Sequence, residues 1–140
     1  MPKTRALALL GESADLAASD LAPFAQVVEE QTGRPLTELG LKLVSDAEIK
    51  RLNPTAELTD VLSFPNDEGS GGDVVIAQAV ARSQAERVGW PLRSELLLLL
   101  THASLHLVGY EHSSERGRTR MRCLEREILG RLGIKARPYT

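Results

Sequence analysis

The apolar positions of this chain fall into short alternating runs in its first half and into helix-spaced stripes in its second. Thr4–Leu10 reads as an opening strand. Leu21–Gln31 then places Leu21, Phe24, Ala25 and Val28 at helical spacing, and Gly33 stops the pattern. Leu39–Val44 alternates with Leu39, Leu41 and Leu43 on one side, as a half-buried strand does. Ser45-Asp46 predicts the cap of a short helix running through Leu52. Asp60–Phe64 predicts a third strand, closed by Pro65-Asn66-Asp67. Gly71-Gly72 predicts a turn, and Asp73–Ala77, rich in β-branched residues, a fourth strand.

Beyond residue 77 the period is helical. Gln78–Val88 reads as a helix broken by Gly89-Trp90-Pro91, and Leu92–Val108 as a stronger one. Within it Leu96–Leu100 is apolar on every side, which predicts a helix buried in the core. Gly109 stands where a helix wants its C′ residue. A last helix runs from about Ser114 to Leu132, with Met121, Leu124, Ile128 and Leu132 as its apolar stripe and Gly133 as its end. Strands interleaved with helices, followed mostly by helices, predict an α+β domain with helices packed on one sheet.

Composition changes this picture little. A length of 140 residues fits one domain over residues 1–140, and 42% hydrophobic with 26% charged residues is ordinary for a globular protein. Lys3 and Arg5 precede the apolar Ala6–Leu10, but that run is too short for a secretory h-region, and Glu12 and Asp15 follow it. No apolar run approaches a membrane span. The one cysteine, Cys123, has no intramolecular partner, which suits a reducing compartment; the expectation is a cytoplasmic protein.

Charge is unevenly placed. Residues 1–114 carry 9 basic and 16 acidic side chains, whereas residues 115–140 carry 8 basic and 3 acidic ones. The basic end either attracts polyanions or is a solvated helix face.

All three histidines lie within the eleven residues His102-Ala-Ser-Leu-His106-Leu-Val-Gly109-Tyr-Glu-His112. Residues four apart share a helix face, so His102 and His106 can present imidazoles to one point. His112 can reach that point only if the helix stops and turns, and Gly109 is the residue able to take the positive φ required. Three neutral imidazoles suit a divalent metal, Zn²⁺ best, and leave a fourth position open as catalytic sites do. The bland alternative is a chance cluster of histidines. The spacing H-x-x-x-H-x-x-G-x-x-H is that of metzincin proteases. Those carry Glu after the first His as general base; Ala103 stands there here, which rejects peptide hydrolysis.

The same eleven residues closely resemble the signature of the YbeY endoribonuclease family of rRNA maturation factors. Thr59-Asp60-Val61-Leu62-Ser63-Phe64-Pro65 resembles its second hallmark and Gly72-Asp73-Val74-Val75-Ile76 the strand after it. Met121 and Glu125 also fall where the family pattern has them, so the likeness runs from about Asp46 to Gly133. The resemblance implies a small mixed four-stranded sheet packed against about five helices, with a metal in the cleft between them. It implies His102, His106 and His112 as the ligands of one divalent metal, and metal-dependent cleavage of single-stranded RNA. The implied setting is small-subunit rRNA 3′-end processing and ribosome quality control, with the small ribosomal subunit as partner and neither membrane nor DNA involved.

Three departures stand out. Ala103 replaces a usual Gly, and Glu111 a usual Asp. Asn53–Leu58 is shorter than the family's loop and lacks the arginine carried there; Lys50 and Arg51 are the nearest replacements by sequence, Arg51 a candidate catalytic helper, and the basic last helix is another source. An arginine at a scissile phosphate would hold it bidentately.

Other residues divide between function and packing. Thr59, Asp60 and Ser63 either line the cleft and meet RNA or serve the turn and the sheet. Glu111 either orients an imidazole or helps deprotonate water, or it is a solvated turn residue. Asp73 is expected to satisfy backbone donors at the Gly-Gly turn, and Cys123 to be a small buried hydrophobe. Trp90 and Tyr110 either stack on bases or anchor helix ends. Two rival functions remain: a non-catalytic ribosome-associated factor with a structural metal, and a metallohydrolase acting on another substrate class.

Overall fold

The computed structural model describes residues 5–11, 13–52 and 60–135. Four strands form one sheet: β1 (Ala6–Leu10), β2 (Glu38–Val44), β3 (Val61–Pro65) and β4 (Gly71–Ala77), in the order β1-β2-β4-β3. β1, β2 and β4 are parallel, and β3 runs antiparallel to β4. Five α-helices accompany them: α1 (Leu21–Thr32), α2 (Asp46–Leu52), α3 (Gln78–Val88), α4 (Leu92–Leu107) and α5 (Glu115–Arg131). The α+β class and the mixed four-stranded sheet with five helices are as the sequence and the resemblance lead one to expect. The N-terminal residue of the expected first strand, Thr4, lies outside the described residues.

Alternation decides which face of the sheet is buried. Leu39, Leu41 and Leu43 of β2 stand in register with Leu7 and Leu9 on one side and Val74 and Ile76 on the other. These side chains pack against Leu21, Phe24 and Val28 of α1 and Leu96 and Leu100 of α4 in the principal core. Full burial of a residue such as Leu100 is worth roughly 1.5–3 kcal/mol. The opposite face carries a smaller cluster, Val44, Ile49, Val75 and Ala77, under α2.

Two expectations near the glycines are corrected. Gly71-Gly72 is no turn but the start of β4, paired with Glu38 and Leu39 of β2. Both have positive φ, 139° and 146°, and a Cβ on either would collide with a carbonyl oxygen of a neighbouring segment, Glu38 or Phe64. Glycine here admits close backbone approach within a sheet, the other use of a strand glycine. Asp73 therefore caps no turn; it sits in the ladder opposite Gly40 and Phe64, its carboxylate lying over the bare Cα of Gly40. Cys123 is also corrected, being exposed: α5 buries Met121, Ile128 and Leu129, and two residues on from Met121 points away from that stripe.

Candidate metal centre

α4 is the platform of the site. It starts at Pro91, whose fixed φ suits a helix start. The flanking Trp90 donates its Nε1–H to Glu95 Oε1 at 2.9 Å, tying the chain's entry to the first turn. Ten of the helix's 16 residues are buried, so its backbone cannot shift without disturbing the core. His102 and His106 project from the one face that is not fully enclosed, toward a cleft of about 650 Å³.

The turn that brings back the third imidazole is fully accounted for. Gly109 donates to the carbonyl of His106 at 3.0 Å and Tyr110 to that of Leu105 at 2.9 Å, the paired bonds of a Schellman motif. Gly109 has φ 99°, a conformation that side chains rarely adopt. Tyr110 then plugs the turn: its ring is buried, with the Arg34 guanidinium 4.1 Å from its centroid and Arg120 at 5.6 Å. Arg34 also donates to the Val108 carbonyl at 2.8 Å. Past this knot the chain delivers His112, before Ser114 caps α5 through the amide of Gly117.

The three histidines converge. One nitrogen from each lies within 4.8 Å of the others, and the ring of His112 is 5.4 Å from that of His102 and 4.7 Å from that of His106. His106 Nδ1 is 3.0 Å from the Tyr110 carbonyl oxygen, which can only accept, so the proton of the neutral ring belongs on Nδ1. His102 Nδ1 is likewise 3.3 Å from Glu125 Oε2. Both Nε2 atoms are then left with lone pairs, and they face each other at 3.2 Å. Two lone pairs at that distance repel unless a cation lies between them. Nitrogens bound tetrahedrally to zinc at about 2.0–2.1 Å stand about 3.3 Å apart. The donor set therefore fits a divalent metal. Burial, followed by the neighbouring His102, holds the His106 imidazole below its ordinary value of 6.5, although the Tyr110 carbonyl acts in the opposite sense. A proton thus competes for this nitrogen only in more acidic solution.

The cleft lies between β3 and the helices α4 and α5, with Asp60 and Ser63 on one wall and Glu125, Arg122 and Arg126 on the other. Asp60 accepts from Gln84 Nε2 at 3.2 Å, and Ser63 faces the helix side of the sheet in register with Val74. Thr59 lies outside the described residues, as does the whole Asn53–Leu58 segment. Arg51 stands exposed on α2 and is not among the residues lining the cleft. Glu111 is exposed too; it reaches His106 only through its charge, the weakest of the influences there. The carboxylate that does meet an imidazole is that of Glu125. Its spacing from Met121 was visible in sequence, but its pairing with His102, 23 residues away, depends on how α5 packs on α4. Tyr110 is an anchor, and Trp90, half-buried, is tied to Glu95. Among the described residues no helix is long and apolar enough to cross a membrane.

The chain is similar to known proteins over most of its length. A family model described as Endoribonuclease YbeY matches residues 13–133. The endoribonuclease YbeY of Heliobacterium modesticaldum is 38% identical over 128 residues, covering 76% of this chain and 77% of the relative. That of Vesicomyosocius okutanii is 35% identical over 130 residues, covering 86% and 89%. The solution structure of a Thermotoga maritima protein is similar with a TM-score of 0.63 at 25% identity, covering 91% of each chain.

Proposed function

The chain belongs to the endoribonuclease YbeY family, and from that premise we propose that it is a metal-dependent endoribonuclease of single-stranded RNA. It works as one domain in the cytoplasm, on the 3′ end of the small-subunit rRNA and in ribosome quality control, with the small ribosomal subunit as its partner. The observation that carries the reading is the pair of bare Nε2 atoms facing each other at 3.2 Å, with His112 beside them.

His102, His106 and His112 would hold one divalent ion, zinc by the preference of imidazole donors. When bound, the metal supplies Lewis-acid polarisation of a phosphoryl oxygen or of the attacking water. The chain's own residues do the rest. Glu125 fixes the ring of His102 and the Tyr110 carbonyl that of His106, so both keep their Nε2 atoms aimed at one point. Leu98, Leu99 and Leu129 make part of the cleft wall apolar, which strengthens every charge interaction inside it. Asp60 and Ser63 meet the RNA from the β3 side.

The test is metal analysis coupled to cleavage of a single-stranded RNA, with and without chelator. Chelation should remove about one metal per chain and the cleavage together, and added zinc should restore both. Metal-replete protein, cleared of contaminating nuclease, that binds ribosomal RNA yet leaves it intact would establish the non-catalytic rival instead. A His106→Ala variant cutting RNA at the normal rate would end the metal mechanism.

A further inference from the structure

The metal centre makes no use of two arginines that α5 sends into the same cleft, Arg122 and Arg126. They are its only cationic side chains among the described residues. Several other arginines are engaged: Arg93 pairs with Asp20, Arg131 with Glu30, and Arg34 packs on Tyr110. Among the described residues, Arg122 and Arg126 have neither an ion-pair nor a hydrogen-bond partner. Three carboxylates share the cleft, yet each is turned to a neighbour. Glu125 is on His102, Asp60 takes a bond from Gln84, and Glu95 takes one from Trp90. Two long, exposed guanidiniums lining a cleft whose carboxylates are paired with neither of them are a binding surface for an anion that arrives from outside.

We propose that Arg122 and Arg126 clamp the phosphates of the RNA strand next to the three histidines, an assignment that rests on the RNA-cleaving reading above. Four residues apart, the two side chains share one face of α5 and stand about 6 Å apart along its axis. They can therefore engage separate phosphates. A single strand lying along α5 passes the histidines on one side and the β3 wall on the other. Even with every cleft carboxylate ionised, a divalent cation on three neutral imidazoles leaves the lining net positive, so a polyanion is drawn in. The guanidinium fork fits a phosphate diester bidentately, which an ammonium does not.

The experiment measures equilibrium binding of a short single-stranded oligoribonucleotide to the full chain across a salt series, beside cleavage, metal content and melting. Arg122→Ala/Arg126→Ala should raise Kd roughly 10- to 100-fold at moderate salt, with metal content and melting unchanged. It should also flatten log K against log salt by about 1.4, since each lost single-strand phosphate contact removes about 0.7. Arg122→Lys/Arg126→Lys should restore the slope but only part of the affinity. Arg87→Ala/Arg116→Ala removes equal charge from exposed positions outside the cleft and should change Kd far less. An unchanged Kd and slope in the double alanine variant would overturn the assignment while wild-type cleavage left the RNA reading standing. So would an equal loss in the outside pair, which would mean general electrostatics only. Wild-type protein that neither bound nor cut RNA would overturn the RNA reading itself, and the clamp with it.

Discussion

α4 and α5 are nearly equal in length, 16 and 17 residues, and opposite in character. α4 buries ten of its residues, α5 three. Both nevertheless reach the same cleft, and each brings what the other cannot. The buried helix gives rigidity: His102 and His106 stand on a backbone that packing holds still. The exposed helix gives partners and charge, Glu125 to orient His102 and Arg122 and Arg126 in the open cleft. A site of this kind needs both, because a ligand must be held in place while a substrate must be free to come and go. If the division holds, damage to α4 is read as lost stability, and damage to the cleft face of α5 as lost binding.

The largest break should come from the α4 core. Leu100 is fully buried between sheet and helices, so Leu100→Ala should lower unfolding free energy by about 2–5 kcal/mol. Denaturant melting of metal-free protein checks this, and a loss below 1 kcal/mol would mean α4 is not the rigid platform described. Removing an exposed α5 side chain such as Arg116 should stay within about 0.5 kcal/mol.

Glu125→Ala sharpens the contrast from the other side. It deletes the acceptor for His102 Nδ1, and metal affinity should fall about 10- to 100-fold while the metal-free melt hardly moves. Competition with a chelator of known affinity measures it. Glu125→Gln, which keeps an acceptor oxygen, should recover part of the loss. Equal losses in metal affinity and in metal-free stability would show that Glu125 belongs to the packing and not to the centre.

This contrast also marks what the sequence could and could not disclose. The α4 platform was readable because its signals are local: the Leu96–Leu100 run, two histidines one turn apart, and a glycine at the C′ position. The sheet was readable for the same reason, through the alternation of Leu39, Leu41 and Leu43. What α5 contributes is not local. The stripe of Met121, Leu124 and Ile128 predicts a helix but not the neighbour it packs on, so nothing in the string pairs Glu125 with His102. Glu111 is adjacent to a histidine in sequence, yet the carboxylate that meets an imidazole is on another helix. Gly71-Gly72 is ambiguous in sequence because glycine serves both turns and crowded strands, and only the neighbouring carbonyls distinguish the two.

Gly109 joins the two regions, and a smaller effect is expected there. Its φ of 99° is strained for any side chain, and a Cβ would stand 3.1 Å from Arg34 Nη1, a flexible end that can yield. Gly109→Ala should therefore cost about 1–2 kcal/mol, mostly backbone strain. It should also weaken metal binding by displacing His112, whereas Gly130→Ala on α5, with open space around it, should do neither. A Gly109→Ala protein with wild-type metal affinity would show that His112 is placed by α5 alone.

The smallest effect concerns how α4 is pinned at its start. Arg93 in its first turn donates to both carboxylate oxygens of Asp20, each at 3.1 Å. The hydrogen bonds from Arg93, then the backbone amide of Ala17, hold the Asp20 carboxyl below its ordinary 3.8. An acid whose pKa is lower in the folded state stabilises the fold at pH values above its unfolded pKa. That contribution disappears as pH falls below about 3.8 and through the folded value. Because the pair is partly exposed and screened, it amounts to less than about 1 kcal/mol. Metal-free wild type and Asp20→Asn should therefore differ by a small, constant melting shift from pH 7 to 5, and the two curves should merge in more acidic solution. High salt should shrink the same gap at neutral pH, as it would not for Leu100→Ala. A gap that widened on acidification would mean that burial, and not the arginine, governs this carboxylate, and that α4 is held by its core alone.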